Sequence, residues 1–292
     1  MAIDVEAVRR WPFTEIRQRY AARDVILHAL ALGYGGNPVD ADELSFVYGP
    51  RLQASPAFAT TLCHPGFWVS DPRTGIDASQ CVHAEHNVVF HQPLPAAGTV
   101  VAQTRVLDVF DRGADKGAVL VFARDLRDAE TGVCIASIEH RTVCRADGGF
   151  SASAPELQGR KPAALFSAWD QTRLPDHRVA MPSLPQAALI YRLSADPNPL
   201  HADPAVALKA GFPRPILHGL CTYGLVSRAV LQACCDQRAD GLRALAMRFL
   251  APVYPGETLR VDIWQNGGTL GYNCVVPLRG GLLVATGSAC LH

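Results

Sequence analysis

Two stretches of the chain carry the same pattern of apolar and polar positions. Residues 90–100 read FHQPLPAAGTV and residues 249–259 read FLAPVYPGETL, so Phe, Pro, an aliphatic residue, then Gly and Thr recur about 159 positions apart. In both, a turn fixed by Pro and Gly feeds a strand of alternating character. After the first turn come TVVAQTRVLDVF, GAVLVFARDLRD and GVCIASIEHRTVC; after the second come TLRVDIWQN, LGYNCVVPLR and GLLVATGSACL. Each set predicts three antiparallel strands joined by short turns containing Gly or Asp.

An apolar helical stretch precedes each set. In the first half it is AARDVILHALALGYG (21–35); in the second it is DPAVALKAGF (203–212) followed by HGLCTYGLVSRAVLQACC (218–235). A stretch apolar on all sides is buried when a sheet wraps around it. The pattern therefore predicts an α+β chain in which antiparallel strands enclose helices. Residues 146–186, rich in Ala, Ser, Gly and Pro, read as a linker whose last part enters a strand. The expected organisation is 1–150, a linker over 151–180, and 181–292.

Composition narrows the function classes. Of 292 residues, 49% are hydrophobic and 18% charged, and the formal net charge is zero. That balance fits a soluble globular protein and gives no general attraction to nucleic acid or anionic membrane. No apolar run reaches the roughly 18 residues of a membrane span. The start MAIDVEAVRRWPF lacks the charged and apolar regions of an export signal, and ACLH is no targeting tripeptide. A cytoplasmic location is expected. The nine cysteines are odd in number and form no CxxC pair, which points to reduced, buried thiols.

The stretch richest in chemistry is 191–224, YRLSADPNPLHADPAVALKAGFPRPILHGLCTYG. Asp196 and His201 lie five residues apart across a turn stiffened by Pro197 and Pro199. Asp203 and Pro204 read as an N-cap followed by Pro at the first helical position. A braced carboxylate and imidazole suit general acid/base work on a water. His218 and Gly219 open the next apolar helix. A free N–H at a helix start, on a residue without Cβ, can stabilise a developing oxyanion.

This segment resembles the hydratase 2 motif of the MaoC-like hot-dog family. The likeness runs from Tyr191–Ser194 through Asp196, Asn198–His201, Asp203, Pro204, Ala207, Gly211, Phe212 and Pro215 to Leu220. RFLAPVYPGETL and RDVILHALALGYG resemble further parts of the family, so the likeness spans nearly the whole chain. It implies a double hot-dog, two antiparallel sheets each wrapped around a central helix, with a catalytic second half and a degenerate first half that accommodates the acyl chain. The implied reaction is reversible hydration of a trans-2-enoyl-CoA to a (3R)-3-hydroxyacyl-CoA. By the same resemblance, Asp196 and His201 are the acid/base pair, Asn198 supports their loop, and Gly219 donates to the thioester carbonyl. Phe249 lies near the thioester and His83 and Ala84 contact substrate. Arg112 stands where the family has a basic CoA contact, in a longer loop that also carries Lys116. No cofactor or metal is implied, the partner is an acyl-CoA, and a homodimer is expected by analogy.

Other groups read as structural. Asp24 and His28 sit four apart within a helical pattern, so their spacing follows from helix geometry, and Asp24 reads as a helix-start residue. His83-x-Glu85-His86 has the wrong spacing for a zinc-binding HExxH. His64 and His140 read as packed or hydrogen-bonded. An acyl-CoA thioesterase on the same fold, a non-catalytic acyl-CoA-binding module, and a hydratase for a branched, aromatic or dicarboxylic acyl group stay open at this level.

Overall fold

Five of the six strands that the two repeats anticipate form as single strands, the sixth, TVVAQTRVLDVF, divides at Gln103 into two, and all belong to one sheet. The computed structural model describes residues 3–194 and 196–292. In the first half the strands are β1 (Ile16–Tyr20), β2 (Cys81–Phe90), β3 (Gly98–Ala102), β4 (Thr104–Asp111), β5 (Ala118–Asp128) and β6 (Cys134–Cys144). The second half contributes β7 (His177–Pro182), β8 (Leu242–Phe249), β9 (Thr258–Asn266), β10 (Thr269–Val276) and β11 (Leu282–Leu291). Their order is β1-β3-β5-β6-β2-β8-β11-β10-β9-β7, with β4 also on β5. Read outward from the centre, each half repeats the same sequence of strands, which is the internal repeat in three dimensions. The fold is an α+β double hot-dog.

The halves join edge to edge where β2 pairs antiparallel with β8, Val88 opposite Leu245 and His86 opposite Met247. The expectation of two sheets thus becomes two sheets fused into one. On one face of the seam, Glu85 accepts hydrogen bonds from Arg141 Nη1 at 2.9 Å and from Arg248 Nε at 2.7 Å. The linker crosses the sheet rather than hanging free. Arg141 also donates to the Ala163 carbonyl at 2.7 Å, and Trp264 Nε1 donates to the Arg173 carbonyl at 2.9 Å.

Six helices complete the chain among the described residues: α1 (Val5–Arg9), α2 (Ala22–Ala31), α3 (Ala41–Leu44), α4 (Ala187–Tyr191), α5 (Pro204–Lys209) and α6 (Gly219–Cys234). α6 is the enclosed helix. It packs against β7, β8 and β9, and every residue from Cys221 to Leu231 is buried. This explains its apolar character on all sides.

The first half departs from the expected plan. Its helix ends at Ala31, and Gly33 (φ +78°) and Gly35 (φ +79°) turn the chain in a left-handed conformation that side chains resist. α2 packs on α4 and on the 3₁₀ turn Pro56–Thr61 instead of lying along its own strands. The chain leaving α2 presses on α6, where a Cβ on Gly224 would come within 2.6 Å of Leu32 Cδ2. Beside this contact Arg228 of α6 donates to the Leu32 carbonyl at 2.8 Å and to Glu43 Oε1 at 2.7 Å. Both members of the pair are buried.

Removing one partner of a buried ion pair strands the other charge, which costs about 3–5 kcal/mol. Glu43→Ala is expected to lower the urea-unfolding free energy by about 3 kcal/mol. A loss below 1 kcal/mol would show that the pair does not hold the first half against α6.

Candidate active site

The loop after α4 carries the candidate pair, and its own sequence shapes it. Asp196 Oδ1 accepts from the Asn198 N–H at 3.0 Å, an Asx turn. Asn198 Oδ1 in turn accepts from the Leu200 N–H at 3.0 Å and caps the 3₁₀ turn Pro199–His201. Asn198 therefore acts on the loop's backbone. Asp203 caps α5 through the Ala205 N–H at 2.8 Å, with Pro204 at the first helical position, as its spacing suggests.

His201 is buried and held from behind. Its Nδ1 donates to the Ile216 carbonyl at 2.9 Å. That bond assigns the proton to Nδ1 and leaves Nε2 as an acceptor aimed at Asp196. Nε2 stands 3.8 Å from Asp196 Oδ2. This separation exceeds a hydrogen bond and suits two acceptors that address one shared water. Burial lowers the His201 pKa, against the raising effects of the Ile216 bond and the Asp196 charge, so the imidazole is neutral at pH 7.

His218 closes the loop onto α6. Its Nε2 donates to the Asp196 carbonyl at 3.1 Å, and its ring stacks on that of His201 with centroids 3.7 Å apart. Sequence reading treated His218 only as the residue that opens a helix. Its repetition beside the DPNPLH turn gave no sign of a bracing role, because the two lie 22 residues apart. α6 starts directly after it with no side-chain cap, so the first N–H groups of the helix, Gly219 included, lack intrahelical partners. A Cβ on Gly219 would approach Phe249 Cε1 to 3.4 Å. The missing side chain thus keeps the approach to this N–H open beside the Phe249 ring.

From Phe249 the site continues into the first half. His83 packs on Phe249 (4.7 Å between centroids) and stacks on His140 (3.6 Å). The β2–β6 register shifts between His83 and Glu85, so Ala84 is the bulged residue. The bulge places His83 and His86 on one face, with ring centroids 5.2 Å apart. His86 also meets Tyr223, one turn into α6. Thus HxEH is a strand-bulge arrangement. Two sets of three candidate ligands, His83/His86/His140 and Asp196/His201/His218, each have ligand atoms within 4.8 Å of one another. His64 and His140, read from sequence as packing residues, both border this region. Arg112 and Lys116 are exposed on the β4–β5 turn and no described contact joins them to the loop. Asp24 accepts from the Ala21 N–H at 2.9 Å and starts α2 as expected. His28 is buried between Phe58 and Tyr191. A cleft of about 550 Å³ near Trp11 and Arg105 holds none of these residues, so chemistry rather than cleft size locates the site.

Residues 18–146 match the MFE-2 hydratase 2 N-terminal domain, and residues 169–276 match the MaoC like domain. Enoyl-CoA hydratase ChsH3 of Mycobacterium tuberculosis is 36% identical over 98% of both chains. The chain belongs to the MaoC-like hydratase 2 family. Peroxisomal enoyl-CoA hydratase 2 of Arabidopsis thaliana is 33% identical over 93% of this chain and 90% of its own. The crystal structure of a MaoC-like dehydratase from Phytophthora capsici superposes with a TM-score of 0.82 at 27% identity, covering 98% of each chain.

This MaoC-like chain buries several imidazoles in and around the site. Burial pushes His28, His83 and His218 down to about 3 and His64 to about 4. Their unfolded value is near 6.5. The unfolded chain therefore binds more protons as pH falls below 6.5, and stability is lost from there toward pH 3–4. The urea-unfolding free energy is expected to drop steeply between pH 6.5 and 4.5. His28→Phe, which replaces an imidazole whose nitrogens lack partners, should flatten that slope by about 1.4 kcal/mol per pH unit. An unchanged slope would mean that His28 protonates normally in the folded protein.

Proposed function

We propose that this protein adds water reversibly across the double bond of a trans-2-enoyl-CoA to give a (3R)-3-hydroxyacyl-CoA, with Asp196 and His201 as the acid/base pair. The observation that carries the reading is the geometry of the pair: a His201 Nε2 free to accept, 3.8 Å from Asp196 Oδ2. A water donating one O–H to each presents its oxygen lone pair to C3. As the C3–O bond forms, the pair takes one proton from the water and returns one to C2 on the same face. The two groups share that proton as a unit. Charge builds on the thioester oxygen meanwhile, and the Gly219 N–H at the start of α6 stabilises it. Relatives named enoyl-CoA hydratase support the same chemistry.

In this reading Phe249, His83 and Ala84 border the bound thioester and acyl group. Arg112 and Lys116 supply cations for the CoA phosphates from their exposed turn. The step needs no metal, redox cofactor or covalent intermediate. No described helix is long and apolar enough to cross a membrane. We place the reaction in the cytoplasm and the assembly as a homodimer, which light scattering on the purified protein checks.

The test is loss of the conjugated enoyl-thioester absorbance with crotonyl-CoA and with a C8–C10 trans-2-enoyl-CoA, together with assignment of the product configuration. His201→Ala and Asp196→Asn are each expected to lower kcat about 10²–10⁴-fold while the protein stays folded. Near-normal turnover by a folded Asp196→Asn would remove the pair from the chemistry. Release of free thiol in place of hydration would make the protein a thioesterase.

A further inference from the structure

The inward face of the first half carries a charge that no described carboxylate balances. Arg124 of β5 is 2% exposed. Its Nε donates to the Leu62 carbonyl at 3.2 Å and its Nη2 to the Thr60 carbonyl at 2.7 Å. Among the described residues no carboxylate pairs with it. A buried guanidinium normally comes with a carboxylate, since desolvating a charge costs several kcal/mol. Directly across the strand pair, Thr104 Oγ1 is buried without a partner.

Register places this charge on the same face as the imidazoles, which together make a candidate pocket. Phe122, His140 and His86 form one row across β5, β6 and β2; Arg124, Ile138 and Val88 form the next row on the same face. His86 in its row meets Tyr223 of α6, so the face looks inward. His83 stacks on His140 of this face and packs on Phe249 beside Gly219, so the face runs on to the candidate site. His64, His83 and His140 are half-buried rather than sealed in the core. His83 Nε2 and both nitrogens of His86 have no partner. Unpaired buried polar groups of this kind point to a polar ligand.

A metal cation fits this pocket poorly. His83 and His140 are parallel within 13° at 3.6 Å. Stacked rings cannot both direct an in-plane lone pair at one ion, and Arg124 repels it. An anion answers every feature.

Resting on the hydratase reading, we infer that the pocket receives the far end of the acyl chain and that Arg124 binds a carboxylate there, so that the preferred substrate is an ω-carboxylated trans-2-enoyl-CoA. Thr104 and the neutral imidazoles complete the hydrogen bonds of that carboxylate, and His64 separates it from Asp196. Methyl-terminated chains leave the same groups unpaired and pay the desolvation of Arg124 without return.

The test compares kcat/KM for ω-carboxylated and methyl-terminated trans-2-enoyl-CoAs of equal length at C6, C8 and C10. Wild type should favour the carboxylated member at least tenfold at one or more lengths, and Arg124→Met should lower that ratio about 100-fold. Preference for the methyl-terminated member at every length, by wild type alone, overturns the inference while leaving the hydratase intact. A ratio unchanged in a folded Arg124→Met overturns it as well. Turnover of neither series removes the hydratase reading and this inference with it.

Discussion

The hydrogen bond from His218 Nε2 to the Asp196 carbonyl joins two segments that the chain keeps 22 residues apart. His218 is at once the residue before α6 and the plate on which His201 stacks. Fixing one imidazole therefore fixes three things together: the height of the Asp196 turn, the plane of the His201 ring, and the start of α6 where Gly219 lies. The Ile216 carbonyl, two residues before His218, adds the bond that sets the His201 tautomer. Both members of the candidate pair and the Gly219 N–H are thus positioned by one short stretch of main chain. The prolines on either side, at 197, 199, 213 and 215, limit how far that stretch can relax.

This arrangement demands neutral imidazoles. If His201 were protonated at Nε2, that nitrogen could not serve as an acceptor, and a protonated His218 would set a cation against its ring at 3.7 Å. Burial prevents this by penalising the charged form. The same device costs acid stability, since each imidazole kept neutral in the folded state takes up a proton on unfolding. A site that works near neutral pH accepts this. The low pKa values of His28 and of the first-half histidines have the same cause, desolvation by burial.

Local patterns were legible and nonlocal ones were not. The two strand sets, the Asp203 cap, the Asp24 helix start and the Asp196–His201 turn each depend on residues within a few positions of one another, and each stands where the sequence places it. The truncated α2 was missed because its apolar pattern continues past Ala31, while Gly33 and Gly35 need a left-handed turn where the chain must clear α6. The bulge at Ala84 was invisible because a register shift is a property of two strands. The linker's Ala, Ser, Gly and Pro content described its irregular backbone correctly but not its packing over the sheet. Arg124 stands within an ordinary alternating strand, VFARDLRD, and nothing near it in sequence marks it as inward-facing.

The two halves share a strand plan but differ in what occupies their inner faces. In the second half α6 fills the curve of the sheet with apolar side chains, and the helix can then offer its first turn to chemistry. In the first half α2 lies elsewhere, so the inner face of β6 and β5 is not covered by that half's own helix. Selection on that face is then free to place polar groups that a helix interface would reject. The seam keeps this freedom from disturbing the reaction. Glu85 grips Arg141 within the first half and Arg248 in the second, and each gripping residue neighbours a site residue: His86 beside Glu85, His140 beside Arg141, Phe249 beside Arg248. The ion pairs on the outer face fix the strands whose inner face carries the site. A change of lining in the first half therefore leaves Phe249 beside Gly219.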